Sequence, residues 1–430
     1  MPGFVVRPTS TDEAAAVMRA AAEHELAVVV RGAGGRLGWG APPSRCDLLV
    51  DMSRMAAVVE HSPGDLVARV QAGARMGDVA ALLERAGQEI ALDVPAAATV
   101  GGVVASGLAG PRRLRYGTPR DLLIGITIVR ADGVVARSGG KVVKNVAGYD
   151  LGKLLAGSAG TLALIADATF RLHPLPAARA YVTAEYASAR IACDAVAAAA
   201  NSPLTASAVE LSRPEPGGPI RVGVLLEGSS DGVAARADRM AGLLGPAETS
   251  ETAPDWWDGS ASASASVVAS GSASGSISGS GSISGSGPGS GSGSISGSGS
   301  GSVSGGTLIR VSCWVSALPA VLDAVDAAAR DAGVSPPVAG PAGAGVLYLP
   351  LGGDVAATAA AGFVRALRAA LSSARGGVAV LAAPTPVREA LASCGGMTGP
   401  VPALALMRAV KDQFDPGHRM APGRFPDGGA

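Results

Sequence analysis

Aromatic residues are scarce. Phe, Tyr and Trp make up 3% of the 430-residue chain, so its cores must be assembled from aliphatic side chains and close backbone contacts rather than from packed rings. Net charge is absent as well: 35 Lys plus Arg stand against 35 Asp plus Glu, and no overall field draws the chain to nucleic acid or to an acidic membrane surface. The cysteines, Cys46, Cys193, Cys313 and Cys394, lie far apart with no CxxC pair. That speaks against a zinc site or an iron–sulfur cluster in this chain, and no metal is expected; packed or tolerated thiols in a reducing compartment are. Apolar runs such as the alanines around Val196 fall short of the roughly 20 residues a membrane-spanning helix needs. No basic and apolar leader opens the chain, and PTSTDEAAAVMRAAAEHE reads as a surface helix. A cytoplasmic location is therefore expected, with any attachment at the inner face of the cell membrane made through partners.

What is present is alanine and glycine, over a length sufficient for two domains that each bury a core. A capping box opens the first helix, with Ser10 placed to accept from the backbone of Glu13 and Glu13 placed to reach back; the pattern predicts a helix over residues 11–25. A buried-type strand follows in LAVVVRGAGGRLGWG, then DLLVDMS, then AAVVEHS and LVARVQAG turned against each other at Ser62, Pro63 and Gly64. A helix from Met76 to Arg85, stopped by Gly87, precedes a hairpin that turns at Asp132 and Gly133. Pro174 and Pro176 mark the edge of this α+β domain, residues 1–176. Residues 177–405 read as a smaller, cap-like α+β domain. Within it, residues 259–306 are almost pure Ser and Gly, too poor in apolar surface to offset ordering, so a disordered insert is expected; a linker between independent domains is the alternative. Residues 406–430 contain FDPGHRMAPGRF, an irregular Pro/Gly run expected to return and pack on the first domain.

Four segments could carry chemistry, the FDPGHRMAPGRF run and three glycine-rich ones. In RGAGGRLGWG, residues 31–40, small residues after a strand let successive N–H groups approach a phosphate. A Rossmann fingerprint is excluded, because its third glycine would fall on Leu37 and WGAPPS cannot open a helix; a glycine-rich hairpin or bulge is the alternative. DVPAAATVGGVVASGLAGPRRLRYG, residues 93–117, keeps no helical or strand period, and paired Gly101 and Gly102 followed by Gly107 and Gly110 make a poor helix. Such a stretch leaves room for a flat ligand, for instance a tricyclic isoalloxazine, against the backbone. Arg112, Arg113 and Arg115 follow; guanidinium groups there could hold a pyrophosphate or a substrate carboxylate, or form a solvated basic turn. In GGKVVKNVAGYDLGKLLAGSAG, residues 139–160, Asn145, Gly148, Tyr149 and Asp150 sit where an extended loop should meet a short helix capped by Asp150.

Together these segments resemble the FAD-binding domain of the vanillyl-alcohol oxidase and para-cresol methylhydroxylase (PCMH) superfamily, over roughly the first 175 residues. More narrowly, GGVVASGLAGPRR, KNVAGYDLGKL and the closing FDP and PGR resemble the FAD-binding E subunits of bacterial glycolate oxidase, from end to end apart from the Ser/Gly segment. The resemblance implies a fold of two α+β subdomains forming a PCMH-type FAD-binding domain, then the cap-like domain and a returning C-terminal segment. It implies that Gly32, Ala33, Gly34, Gly35, Arg36, Leu37 and Gly38 wrap the FAD pyrophosphate, and that Thr99, Val100, Gly101, Gly102, Ala105, Ser106 and Gly107 line the flavin. Tyr116, Gly117 and Asp121 would close the same face, with Gly148, Tyr149, Asp150 and Ile165 completing the site. No histidine lies in the first loop, so FAD is expected without a covalent tether. The chain departs from the family pattern at Ala159, Ala163 and Ala421, where an acid, a glycine and an asparagine are usual.

The resemblance implies oxidation of glycolate or a similar 2-hydroxy acid to the 2-oxo acid, in a complex with a companion FAD subunit and an iron–sulfur subunit. Arg112 and Arg113 are the candidates for the substrate carboxylate. No persuasive base is found: His61 lies in a hairpin, His173 precedes a proline, and His24 and His418 read as exposed. This chain is therefore expected to carry FAD and to relay electrons or support assembly. A stand-alone FAD-dependent alcohol or sugar oxidase and a scaffold that has lost FAD are the alternatives.

Overall fold

The structure is a computed structural model that describes residues 2–140, 150–257, 305–372 and 376–424. At the N-terminal end the strands Phe4–Val6, Leu48–Asp51 and Val28–Arg31 form a parallel sheet with Leu48–Asp51 in the middle. The helix Thr11–Glu23 covers it, burying Ala14, Ala15, Met18 and Ala21. Its Ser10 Oγ accepts from the Glu13 N–H at 3.1 Å. The expected reciprocal bond is displaced by one residue: the Glu13 carboxylate takes the N–H and hydroxyl of Thr9 at 2.7 and 2.8 Å. The helix also stops two residues earlier than its pattern predicts, where Glu25 turns to a φ of 50°.

The next layer is an antiparallel sheet of five strands in the order Val58–Ser62, Val67–Gln71, Leu164–Arg171, Leu123–Val129 and Val135–Gly139. Both expected hairpins are present, at Pro63–Asp65 and around Gly133, which adopts a φ of +80°. Its inner face packs against the helices Met76–Glu84 and Val100–Ser106 around Val70, Leu83, Val103, Val104, Leu164 and Phe170.

Val100–Ser106 is a helix the glycine pairs argued against. Thr99 caps it, its Oγ1 accepting from the Gly102 N–H at 3.3 Å. The glycines serve packing: a Cβ at Gly101 would lie 2.8 Å from that of Ala72. Gly107, at a φ of +64°, ends the helix in the left-handed region. Local propensity is thus overridden by a tertiary contact that admits no side chain.

The C-terminal half is built on an antiparallel sheet of eight strands, in the order Ala247–Ser250, Ala178–Tyr186, Ile220–Gly228, Ala208–Arg213, Val338–Gly340, Val346–Leu351, Thr307–Ser312 and Gly377–Ala382. Strand alternation sends Val222, Val224, Ile309, Val311, Leu347 and Leu349 into a core shared with the helices Ala189–Ala200, Ser230–Leu244, Leu318–Ala332 and Ala357–Leu371. The opposite face carries Leu308, Val346 and Tyr348, which pack against Trp39 of the N-terminal half. Farther along that face Trp256 and Trp257 crowd onto Gly223, where a Cβ would fall 2.7 and 2.8 Å from their rings.

The chain then returns to the first sheet. The Val28 N–H donates to Arg419 O and the Ala421 N–H to Val28 O, both at 2.8 Å. Lys411, on the helix Leu404–Phe414, pins this return by donating from its buried Nζ to Thr161 O, Met420 O and the Asp415 carboxylate. Among the described residues no helix is long and apolar enough to cross a membrane.

Candidate functional site

Where Val28–Arg31 leaves the parallel sheet, the chain turns through Gly32, Ala33, Gly34, Gly35, Arg36 and Leu37 along the rim of a cleft of about 390 Å³. The opposite wall is Pro95, Ala97, Ala98, Thr99, Gly102, Ala105 and Ser106, and Trp39, Ala421 and Arg424 close the end. Asp51 anchors the root of the turn, accepting from Arg31 at 2.7 Å and Arg7 at 3.2 Å. Burial pushes its carboxyl up, but bonds from Arg31, Ser53 and Arg7 more than offset this and hold it at about 2.

Gly32 is tied to the opposite wall, since a Cβ there would lie 2.0 Å from Thr99 Oγ1. Gly35 and Gly38 face open space. Among the described residues, no acceptor meets the N–H groups of Ala33, Gly34, Gly35 and Arg36. The buried Arg36 Nε likewise has no partner, while its guanidinium lies over the Trp39 ring at 5.2 Å. Burial pushes Arg36 below the ordinary arginine range, so a bound anion would relieve a desolvated cation. Arg424 fixes the loop from behind, donating to Leu37 O at 2.9 Å and Trp39 O at 2.6 Å.

Ten of the residues singled out in the sequence therefore share one cleft: those of 32–37, Thr99, Gly102, Ala105 and Ser106. Others are placed elsewhere. Gly38 is exposed, Val100 is fully buried in the core, and Gly101 abuts Ala72. Ile165 is buried on its strand opposite Ile128. Asp121 caps its own short helix, accepting from the Thr118 N–H and hydroxyl at 2.8 Å, and Gly117 packs on it because a Cβ would fall 2.6 Å from the Asp121 Cβ. Asp150 is exposed and makes no cap bond; its carboxylate pairs with Lys153 at 2.9 Å. Gly148 and Tyr149 lie outside the described residues, as does most of the Ser/Gly segment.

Arg112 and Arg113 part company. Arg112 is engaged by carboxylates on every side, donating to Asp93 and Glu89 at 2.7 Å and to Glu227 at 3.4 Å. Burial pulls it down, yet Asp93, Glu89 and Glu227 hold it well above the ordinary arginine range. Tyr116 belongs to the same seam, its hydroxyl 3.2 Å from Glu227 and its ring edge-on to His173 at 4.8 Å. Arg113 has no hydrogen-bond or ion-pair partner among the described residues, and its Nε is buried. Burial pushes it down, and the charge of Arg310 pushes the same way, against Tyr348, Glu210 and Asp121.

The histidines stand apart from the cleft. His61 meets Gln88 at 2.9 Å, and His418, half-buried rather than exposed, meets Asp412 at 3.1 Å. Sequence reasoning missed Trp39, Arg424 and Arg310; the tail arginine could have been suspected from the Pro/Gly run around it, whereas Arg310 reads as an ordinary strand residue.

Residues 2–139 match the FAD binding domain family. Glycolate oxidase subunit GlcD of Bacillus subtilis is 35% identical over 204 residues, 46% of this chain and 43% of that protein. Glycolate oxidase subunit GlcE of Escherichia coli is 38% identical over 154 residues, 35% of this chain and 43% of that protein. D-lactate dehydrogenase of Archaeoglobus fulgidus is 37% identical over 171 residues, 40% and 38% of the respective lengths. The chain thus spans less than half the length of these curated relatives. Among solved structures, p-cresol methylhydroxylase with substrate bound superposes with a TM-score of 0.70 at 16% identity, over 100% of this chain and 89% of that one. Alkyldihydroxyacetonephosphate synthase gives 0.67 at 14% identity, over 98% and 76%. The fold is a mixed α+β, PCMH-type FAD-binding fold, and its cofactor is FAD. The cleft fits that group: a loop of unpaired N–H groups and an unpaired guanidinium suit a pyrophosphate, and the alanine and glycine wall admits a flat ring system.

Proposed function

We propose that this chain is the FAD-carrying subunit of a complex that oxidises glycolate or a similar small 2-hydroxy acid to the 2-oxo acid. The observation that carries the reading is an anion-ready glycine loop together with Arg113, near the seam between the two halves, whose side chain has no hydrogen-bond or ion-pair partner among the described residues. The names of the relatives, glycolate oxidase subunits and a D-lactate dehydrogenase, support the substrate class. The reading treats residues 1–176 as the FAD domain, 177–405 as the cap and 406–430 as the returning segment.

The N–H groups of residues 33–36 and the Arg36 guanidinium hold the pyrophosphate, and Thr99, Gly102, Ala105 and Ser106 line the ring system. Bound FAD supplies the acceptor for the hydride that leaves the hydroxylated carbon. Arg113 holds the substrate carboxylate, while Arg112, committed to three carboxylates, joins the halves. FAD is held here without a covalent bond, so acid precipitation of the protein releases it. With no histidine among the described lining residues of the cleft to act as a base, the oxidation is completed only within a complex that includes a companion flavoprotein and an iron–sulfur protein, to which this chain passes its electrons.

The test is anaerobic mixing of the FAD-loaded chain with glycolate and D-lactate, alone and after co-purification with the products of neighbouring genes. Bleaching of the flavin only in the assembled complex supports the reading. Bleaching of the isolated chain by a sugar or simple alcohol would instead make it a stand-alone oxidase. Failure to bind FAD at all would make it a scaffold.

A further inference from the structure

Three arginines converge where the eight-stranded sheet faces the N-terminal half. Arg310 and Tyr348 are direct cross-strand neighbours, and alternation puts both on the face turned away from the helices, beside Leu308 and Val346. Trp39 packs on that patch, and the Gly40 N–H ties the same loop to Leu381 O on the edge strand at 2.7 Å. Arg36 lies over Trp39. Arg113 comes from the short helix Arg113–Tyr116, whose Leu114 reaches Gly343 beside Val209 on the sheet.

Arg113 and Arg310 therefore approach from opposite halves of the molecule, near enough for the charge of Arg310 to act on Arg113. Both have a buried Nε without a hydrogen-bond partner, and neither has an ion-pair partner among the described residues. The unpartnered Nε is shared by Arg213, and what differs is the ion pair: the guanidinium of Arg213 pairs with Asp326 through two bonds and that of Arg69 with Asp167 through two. Buried donors are almost always satisfied, and although the charges of Glu210 and Asp121 act on Arg113, neither guanidinium is ion-paired among the described residues, which leaves both open to an anionic occupant.

From this placement we infer that Arg310 is a specificity-determining residue that, together with Arg113, grips the carboxylate of a small anionic substrate from the cap side, with Tyr348 beside it. The inference rests on the proposed 2-hydroxy acid reading and narrows it. Recognition is of the carboxylate charge, by forked donors from both halves, so the hydroxyl-bearing carbon is presented toward the glycine cleft. A neutral isostere is refused, because it would leave two desolvated guanidinium groups facing each other. Nothing in the spacing of the sequence joins residues 113 and 310; the packing of the Arg113–Tyr116 helix on the sheet does.

The experiment is titration calorimetry of glycolate, and of its neutral isostere glycolamide, into the FAD-loaded chain and its variants, paired with flavin bleaching in the assembled complex. Glycolate is expected to bind and glycolamide not to. Arg310→Met should weaken glycolate at least ~10-fold, Arg310→Lys should retain part of the affinity, and Arg190→Met, on the exposed face of a distant helix, should change nothing. Unchanged glycolate affinity in Arg310→Met, with folding verified by circular dichroism, would overturn the inference while leaving the oxidation reading intact if flavin still bleaches. Arg310-dependent binding without bleaching would uphold the inference and sink the oxidation reading. Equal binding of glycolamide, or no binding of glycolate to the parent chain, would overturn the inference.

Discussion

Arg112 and Arg113 are adjacent in sequence and lie in opposite electrostatic surroundings. In the seam, Arg112 faces Glu89, Asp93 and Glu227, and the side chain of Glu227 is 1% exposed. One residue on, Arg113 forms no ion pair among the described residues, although the charges of Glu210 and Asp121 act on it. The first arrangement holds two halves of a protein together; the second is poised for an anion. The lesson is that a basic cluster in a sequence divides by what each side chain meets, and that a fully engaged arginine is the less promising binder, however conspicuous it looks.

Substituting each arginine is the strongest way to break the contrast. Arg112→Met should destabilise the protein by about 3 kcal/mol, because Glu89 and Asp93 lose their partner at 2.7 Å, whereas Glu227 keeps Arg179 at 3.1 Å. Arg113→Met should change stability by less than about 1 kcal/mol and should instead weaken glycolate binding. Urea melts of the two variants check this, and equal destabilisation would erase the distinction. Next in size is Gly32→Ala, which forces the loop and Thr99 apart and should cost about 1–3 kcal/mol, read as roughly 10–100-fold weaker FAD binding in an absorbance titration.

A smaller, pH-dependent effect probes the root of the loop. Asp51 has a folded pKa of about 2, below its ordinary value, so its contribution is present above about pH 4 and is lost as pH falls toward 2. Arg31→Met should flatten that part of the stability profile, measured by thermal melts across pH 2–5. The smallest expected change is a gain. Ala159 sits at a φ of 53°, and Ala159→Gly should stabilise by ~1 kcal/mol, since glycine adopts the left-handed region without strain. A lower melting temperature for that variant would contradict it.

The local parts of this fold were legible in the sequence. Ser10, the Pro63–Gly64 turn and the Asp132–Gly133 hairpin announce themselves through residues whose backbone preferences act within a few positions. The loop of residues 32–37 and the wall at Thr99, Gly102, Ala105 and Ser106 were legible for the same reason, as small residues gathered where a ligand must approach backbone. The helix at Val100–Ser106 was not, because its glycines answer to Ala72, a contact that no local pattern encodes. The separation of Arg112 from Arg113 and the approach of Arg310 were likewise hidden. They depend on Glu227, more than a hundred positions from Arg112, and on the pairing of Arg310 with Tyr348 in the other half of the molecule. The abundance of alanine also blurred the apolar periodicity from which elements are read.

The most direct test of the account is titration of FAD into the purified, deflavinated chain, followed by absorbance and calorimetry, beside the Arg36→Met and Gly32→Ala variants. The account predicts one FAD bound per chain, released by acid, with affinity lowered in both variants. Stoichiometric binding undiminished by either substitution would place the cofactor somewhere other than this cleft and contradict it.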